Sequence, residues 1–392
     1  MTEKKIGYLR FLWDVFVASL GAYGGPEAHY AVFLDQFVAK KKYLNEEEFV
    51  ELMALTKILP GPGSTQTIIA IGHKVGGPKL ALLTMVVWAL PVLVLMTALS
   101  FMGALGQRLN FSQEIFRYIG PMAVGFVLVA SYTIGKKVIT NPLTLSLFLF
   151  GAITSYFIKT AWIFPLILFI GGLVSIVTSG EKDIWNKISV RPPWIYLIAF
   201  ALFAIGGLIL ANLTNNRLLQ LFEAFYRYGY LVIGGGQVVV PMMHTEMVTV
   251  NNYMTNQEFL TGFGIVQGMP GPMFSFSAYT GGMAARGFGI LYQLTGAAVS
   301  GLAIFLPGVL LIFFVYPIWE DLKRLRAIKL SLAGITPVAA GLILASAINM
   351  MQAAGFSIDN ALVLLVSMIL LLTKKVPAPL IVLATILLGI FI

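Results

Sequence analysis

The sequence predicts an all-α polytopic membrane protein of two inverted-topology repeats with broken, re-entrant helices, joined by an extra transmembrane helix. Three observations carry that prediction. The 392 residues are 58% hydrophobic and 11% charged, with a mean hydropathy of +0.87, whereas soluble domains carry roughly 25% charged residues. Long apolar runs recur from end to end, as helical spans do, whereas a barrel would show short alternating segments. The apolar pattern is also broken by Pro-Gly-Pro twice, at Pro60-Gly61-Pro62 and at Pro270-Gly271-Pro272, with an offset of 210 residues.

The elements follow in order. Met1 to Arg10 is basic, precedes an apolar run and lacks a small-residue cleavage site, so it reads as mature protein rather than a leader. Phe11 to Gly24 is a short apolar stretch ending in Gly24-Gly25-Pro26, and a second short helix runs from about Glu27 to Ala39, closed by Lys40, Lys41 and Lys42. Asn45-Glu46-Glu47-Glu48 forms a capping box that opens a third helix. That helix ends at Pro60. Pro62 suits the first position of the next one, where a missing N–H costs nothing. From Pro62 to Gly76-Gly77-Pro78 this helix covers about 22 Å, less than a hydrocarbon core of about 30 Å. It is therefore expected to be re-entrant, with its exposed backbone lining protein or water. Full-length spans are expected at about 79–105, 118–136, 142–158 and 161–178. The polar linker from Ser179 to Pro193 then marks a boundary, and one solitary span follows at 194–212.

From there the first half repeats. Gly24-Gly25 matches Gly234-Gly235, Tyr43 matches Tyr253, Glu48-Phe49 matches Glu258-Phe259, and Thr255-x-x-Glu258 is a second capping box. After a six-residue insertion, Leu90-Pro91 matches Leu306-Pro307, and Pro121 and Gly125 match Pro337 and Gly341. The organisation is a first repeat over 1–178, linker and connecting helix over 179–215, and a second repeat over 216–392. Loop charge says the copies are inverted, because basic loops face the cytoplasm. Lys40-Lys41-Lys42 faces the uncharged Val250-Asn251-Asn252, and Lys136-Lys137 faces Gln352-Ala353. Conversely, Lys323, Arg324, Arg326 and Lys329 face a segment with only Arg108. Arg286 runs against the pattern.

Broken helices at matching positions of inverted repeats point to a transport site near the bilayer midplane. A helix that begins there offers free amides and the positive end of its dipole, which suits an anion. The first turns add hydroxyls in register: Thr65 with Ser275 and Thr67 with Ser277. Ser64 and Gln66 add donors in the first copy. Gly61, Gly63 and Gly271, between Pro60, Pro62, Pro270 and Pro272, would let a ligand approach the backbone. The competing reading is two plain kinks whose Ser and Thr bond back to their own carbonyls. The breaks at Gly24-Gly25 and Gly235-Gly236-Gln237 either supply further amides or allow close helix packing. Glu27, His29, Lys57, His244 and Glu246 lie in or beside the short segments, as charge partners or proton-coupling groups, or else as interfacial charges. Lys74 and Arg286 come near the C-terminal ends of the short helices, which suits dipole stabilisation.

Chemistry is not indicated. There is no cysteine, so disulfides, thiol catalysis and Cys-ligated metal are excluded, and three histidines leave little room for a metal cage. No Walker A, H-E-x-x-H or G-x-S-x-G motif is present, so neither an enzyme nor an ATP-driven pump is expected, and no cofactor is implied. The formal charge of +9 sits mostly in short loops, where it orients helices in the lipid bilayer and does not signal nucleic acid.

The signatures Gly-Gly-Pro-x-x-His (24–29), Pro-Gly-Pro-Gly (60–63), Gly-Gly-Gly-Gln-Val-Val-Val-Pro (234–241) and Pro-Gly-Pro-Met-Phe-Ser-Phe (270–276) resemble the chromate ion transporter family. The resemblance covers nearly the whole chain, in the long form that fuses two halves. It implies export of chromate across the prokaryotic inner membrane, linked to membrane potential or protons, which relieves chromate toxicity. The residues alone give an anion site between inverted repeats and do not give chromium. A sulfate-type oxyanion carrier and a passive anion channel on the same scaffold stay open, as does a homo-oligomer.

Overall fold

A computed structural model describes residues 7–23, 25–102, 113–158, 163–181, 191–232, 239–319, 326–354, 357–373 and 375–391, and among them every regular element is helical. The first half comprises α1 (Tyr8–Gly21), α2 (Pro26–Phe33), α3 (Glu46–Ile58), α4 (Gly63–Ser100), α5 (Ile119–Val138), α6 (Pro142–Phe157) and α7 (Ile163–Thr178). The connecting helix is α8 (Trp194–Leu213). The second half comprises α9 (Arg217–Leu231), α10 (Val239–His244), α11 (Asn256–Gln267), α12 (Phe276–Ala285), α13 (Ile290–Ala303), α14 (Leu306–Val315), α15 (Arg326–Ala354), α16 (Ile358–Thr373) and α17 (Ala378–Phe391).

The local chemistry repeats with the sequence. Asn45 and Thr255 each accept from the amide three residues on, and Glu48 and Glu258 reach back, completing both capping boxes. Both α2 and α10 run on into a π-helical turn, Leu34–Lys40 and Thr245–Val250. Each turn is followed by a residue in left-handed conformation, Lys42 (φ 52°) and Asn252 (φ 50°). The π turns are not visible in the sequence, which gives only the limits of the second helix.

Each Pro-Gly-Pro is the apex of a hairpin. In the first, α3 leads up to Pro60, and the first arm of α4 returns from Gly63 to a break at Gly76 (φ −153°) and Gly77 (φ 76°). The Lys74 ammonium lies 3.0 Å from Glu48 at the start of α3, so the arms are antiparallel and tied at the base. In the second hairpin, Arg286 pairs with Glu258, and the Tyr279 hydroxyl donates to the Glu258 carbonyl (2.9 Å). Lys74 and Arg286 thus close hairpin bases, a role more specific than the expected dipole stabilisation.

The halves exchange helices. α6 and α7 pack on α15 of the opposite half, while α16 and α17 pack on α5. The contacts are reciprocal. A Cβ on Gly341 would stand 2.1 Å from the Phe148 carbonyl oxygen, and one on Gly125, its counterpart, 3.1 Å from that of Leu364, the counterpart of Phe148. Small residues allow these backbones to touch, as is usual between membrane helices. α5 runs in the same direction as α16: Arg117 and Tyr118 reach Asp359, while Gly125 meets Leu364. α6 runs with α15, since Gly341 meets Phe148 and Gln352 reaches Tyr156, and α6 folds back on α5, with Gly135 beside Phe148, so α5 and α15 run in opposite directions.

Among the described residues, five helical stretches are long and apolar enough to cross a membrane: 63–100, 119–138, 194–213, 290–318 and 329–352. The expected full spans at 142–158 and 161–178 are shorter. α6 and α7 each have 16 residues, about 24 Å, and are matched by the short α16 and α17. α8 is the outermost of the long helices, with 6% of its apolar window buried, and it packs on α9 and α14. The chain is a multi-pass membrane protein.

Candidate functional site

Each hairpin tip is bound to the opposite half by one backbone hydrogen bond, and the two bonds are equivalent. The Gly61 amide donates to the Val232 carbonyl at 2.7 Å, and the Gly271 amide donates to the Ala22 carbonyl at 2.7 Å. Val232 and Ala22 are the equivalent residues that end α9 and α1. Each tip is therefore held by the other half, through backbone groups that lie beyond the helical ladder. The geometry needs glycine. Gly61 sits at φ 131° and Gly271 at φ 102°, a region that L side chains rarely adopt. A Cβ on Gly61 would also come within 2.6 Å of Gln66 Nε2. The first tip rests on α14, where a Cβ on Gly308 would contact Gln66 and Pro62. The second rests on the outer arm of α4, beside Trp88 and Val92.

Helix α4 starts after Pro62 without a side-chain cap, and so does the short turn Met273–Ser275 that leads into α12. Their first amides are left for another acceptor. Around the first tip, His29 Nδ1 is 2.9 Å from Ser64 Oγ, and the imidazole meets Trp88 edge-on at 5.3 Å between centroids. Trp88 Nε1 donates to Thr65 Oγ1 at 3.3 Å. Gln66 Nε2 donates to the Pro60 carbonyl at 2.9 Å. Two buried atoms of this group, His29 Nε2 and Gln66 Oε1, make no hydrogen bond of acceptable geometry. The Ala22 carbonyl, already engaged by Gly271, lies close enough to act on the His29 ring.

The four hydroxyls expected in register divide. Thr67 donates to the Gly63 carbonyl (2.9 Å) and meets Thr56 (2.7 Å), which is the back-bonding alternative. Ser275 and Ser277 are fully buried, and neither hydroxyl has a partner. Behind them lies a small apolar cavity lined by Val239, Met243, Phe263, Phe274, Phe276 and Ile304.

Gly25 has φ 88° and opens α2. Gly24, Gly235, Gly236 and Gln237, and the side chains of Glu27 and Lys57, lie outside the described residues. His244 and Glu246 are not at the tips. His244 Nε2 pairs with Asn256 Oδ1 (2.7 Å) at the base of the second hairpin. Glu246 takes Arg227 Nη1 at 2.8 Å and the Tyr228 hydroxyl. Sequence reasoning missed Trp88, whose role depends on α4 folding back onto its own first turn. It also missed Arg227, although Glu223-x-x-x-Arg227 has the spacing of a helical ion pair.

A family model described as Chromate transporter matches the chain twice, over residues 9–176 and 219–390. The chain belongs to the chromate transporter family. The double match begins 210 residues apart, the same offset that separates the two tips. Among relatives of this family member, a probable chromate transport protein of Synechococcus elongatus is 27% identical over 94% of this chain and 91% of its own length. A chromate transport protein of Cupriavidus metallidurans is 27% identical over 94% of this chain and 88% of its own. An uncharacterized transporter of Methanocaldococcus jannaschii is 26% identical over 94% and 90%. No solved structure matches the chain. The family is one of transporters.

Proposed function

We propose that this protein is a secondary active transporter that exports chromate, a tetrahedral oxyanion, across the inner membrane of a prokaryotic cell, driven by the proton motive force. The pair Gly61–Val232 and Gly271–Ala22 supports this most directly, because it anchors each uncapped helix start to the end of a helix of the other half. The anion would be held by the first-turn amides after Pro62 and Pro272, by Ser275 and Ser277, whose hydroxyls are unpartnered, and by Thr65, whose oxygen accepts from Trp88. Thr67 would contribute by position, since its proton goes to Gly63. A dianion leaving water needs such donors, because burying it unpaired costs several kcal/mol or more. The opposed directions of α5 and α15 support an inverted pair of repeats, which would alternate access by rocking about the tip contact.

The test is chromate uptake into proteoliposomes, with and without an imposed pH gradient and with sulfate as competitor. Saturable accumulation that sulfate inhibits weakly is the expected result. Accumulation abolished by equimolar sulfate indicates a general sulfate-type carrier. Flux that only equilibrates indicates a passive channel. Single cysteines placed by K41C and N251C in this cysteine-free chain should label from opposite sides, and labelling from one side removes the inversion.

A further inference from the structure

A group of buried charges lies on α9 and the π turn after α10, outside the tip site. Arg227 donates through Nε to Glu223 Oε1 at 2.7 Å and through Nη2 to Glu223 Oε2 at 3.2 Å. It also donates through Nη1 and Nη2 to Glu246, at 2.8 and 3.1 Å, and the Tyr228 hydroxyl donates to the same carboxylate. Arg227, Tyr228 and Glu246 are buried, and Glu223 is the least enclosed of the four, its side chain 14% exposed. The first half places a charge cluster on the equivalent elements and balances it. Asp14 on α1 meets Lys41 at 2.7 Å and the Tyr43 hydroxyl at 2.5 Å, one negative charge against one positive. The second half sets two carboxylates against one guanidinium, and among the described residues no other cation pairs with either carboxylate.

One surplus negative charge buried in the protein is costly, and a bound proton removes it. Glu246 already accepts from three donors. Glu223 accepts two, both from Arg227, and has room for a proton. We infer that Glu223 carries the coupling proton, an inference that rests on the proton-driven reading above. Water on one side of the membrane gives the proton to a Glu223 carboxylate oxygen, and water on the other side takes it back once access has alternated; one O–H bond forms and breaks, and no other bond changes. Protonated Glu223 gives up its claim on Arg227, which then turns wholly to Glu246. Arg227 precedes Val232 by five residues, about 7.5 Å along the helix, and the Val232 carbonyl holds the opposite tip through Gly61. The proton state of Glu223 thus reaches the tip contact through one short stretch of helix.

Few other groups compete for that role. Tyr230 faces the cluster from α9 itself and Tyr253 from beyond α10, with Arg217 stacked 3.8 Å from the centre of the Tyr253 ring. His244 on α10 is paired with Asn256. α8, α12, α13 and α14, which pack on α9, carry no Asp, Glu, Lys or Arg and bring only the tyrosines Tyr196, Tyr279 and Tyr292. α15, which packs on α10, has its charges Arg326 and Lys329 in its first turn, with Arg326 paired to Glu181.

The test uses full-length wild type, E223Q and E223D in proteoliposomes, with folding checked by thermal unfolding. Two rates are read: chromate accumulation under an imposed pH gradient, and chromate–chromate exchange at equal pH. E223Q should lose driven accumulation by on the order of tenfold, the size of an ordinary coupling factor, and should keep exchange within about twofold of wild type. E223D should recover part of the driven flux. Undiminished accumulation in E223Q overturns the inference. So does equal loss of both rates in folded protein, which would make Glu223 a structural ion-pair partner. Wild type that exchanges chromate but ignores the pH gradient overturns the proton-driven reading and this inference with it. Wild type with neither rate overturns the chromate reading itself.

Discussion

The two tips share a backbone and differ in their linings. Both hold a left-handed glycine, both donate its amide to the opposite half, and both carry hydroxyls at the same two positions. Around the first stand His29, Ser64, Gln66 and Trp88. At the equivalent positions around the second stand Val239, Phe274, Phe276 and Ile304. What is common to the copies is what an oxyanion needs: amides, hydroxyls and close approach of the chain. What has diverged is the environment. The first tip spends its donors on a hydrogen-bonded network, whereas the second leaves Ser275 and Ser277 unspent in an apolar wall. A donor in apolar surroundings interacts more strongly with a charge, and costs more when nothing is there. The duplicated tips are thus unequal when empty: the first engages its hydroxyls and leaves only His29 Nε2 and Gln66 Oε1 unpartnered, whereas the second leaves both of its hydroxyls unpartnered.

The largest effect should come from the shared backbone, and it should be unequal. Gly61→Ala places a Cβ in left-handed conformation, at about 1–2 kcal/mol. It also displaces Gln66 from Pro60, at about 1 kcal/mol more. Gly271→Ala meets nothing closer than 3.8 Å, so only the conformational cost of about 1–2 kcal/mol applies. Thermal unfolding in detergent should rank G61A below G271A, and both should lose chromate transport. Equal losses would mean that Gln66 yields freely and that the first tip is less rigid than its hydrogen bonds imply.

The hydroxyls sharpen the comparison because their signs oppose. Ser277→Ala removes a buried group without a partner, so the empty carrier should gain about 1 kcal/mol while chromate affinity falls on the order of tenfold. Thr67→Ala breaks the bonds to Gly63 and Thr56, so the empty carrier should lose about 1 kcal/mol, with a smaller change in affinity. Unfolding with and without chromate reads both quantities. Loss of stability in S277A would show that Ser277 is satisfied in the empty protein and would remove it from the anion site.

Sequence made the repeated elements legible because their marks are local. A capping box, a double-proline apex and a Gly-Gly-Pro break each act within a few residues, so the hairpins and their register could be read directly. The exchange of α6 and α7 for α16 and α17 was not legible. Apolar helices of equal length carry no mark of which neighbour they choose, and here the choice rests on small residues such as Gly125, Gly151, Gly334 and Gly341 touching distant backbone. For the same reason the tips could be named as anion-site candidates, while their hydrogen bonds to the ends of α9 and α1 could not. Glu246 was named as a charge in or beside the short segments, but its partner Arg227 lies on another helix and its setting emerges only from the charge count of the whole cluster. His244 was named only as a group in or beside the short segments, and its pairing with Asn256 at the hairpin base depends on the chain returning after the π turn.

The smallest expected difference lies at those bases, and it tests whether inequality is confined to the tips. Arg286 meets Glu258 with two nitrogens, the second at 3.2 Å, whereas Lys74 offers Glu48 a single ammonium at 3.0 Å. A planar fork on a carboxylate is the stronger and better-oriented pair, but both pairs are about a third exposed and screened by solvent. The pairing energies from double-mutant cycles should therefore be about 1 kcal/mol for Glu258–Arg286 and about 0.5 kcal/mol for Glu48–Lys74, each shrinking with added salt. Neither K74A nor R286A should change chromate–chromate exchange by more than about twofold, because a surface pair of this strength ties the arms without reaching the tip. If K74A alone abolished exchange while R286A did not, the two hairpins would differ along their whole length. The functional inequality would then belong to the way each hairpin is anchored rather than to the residues that line its tip.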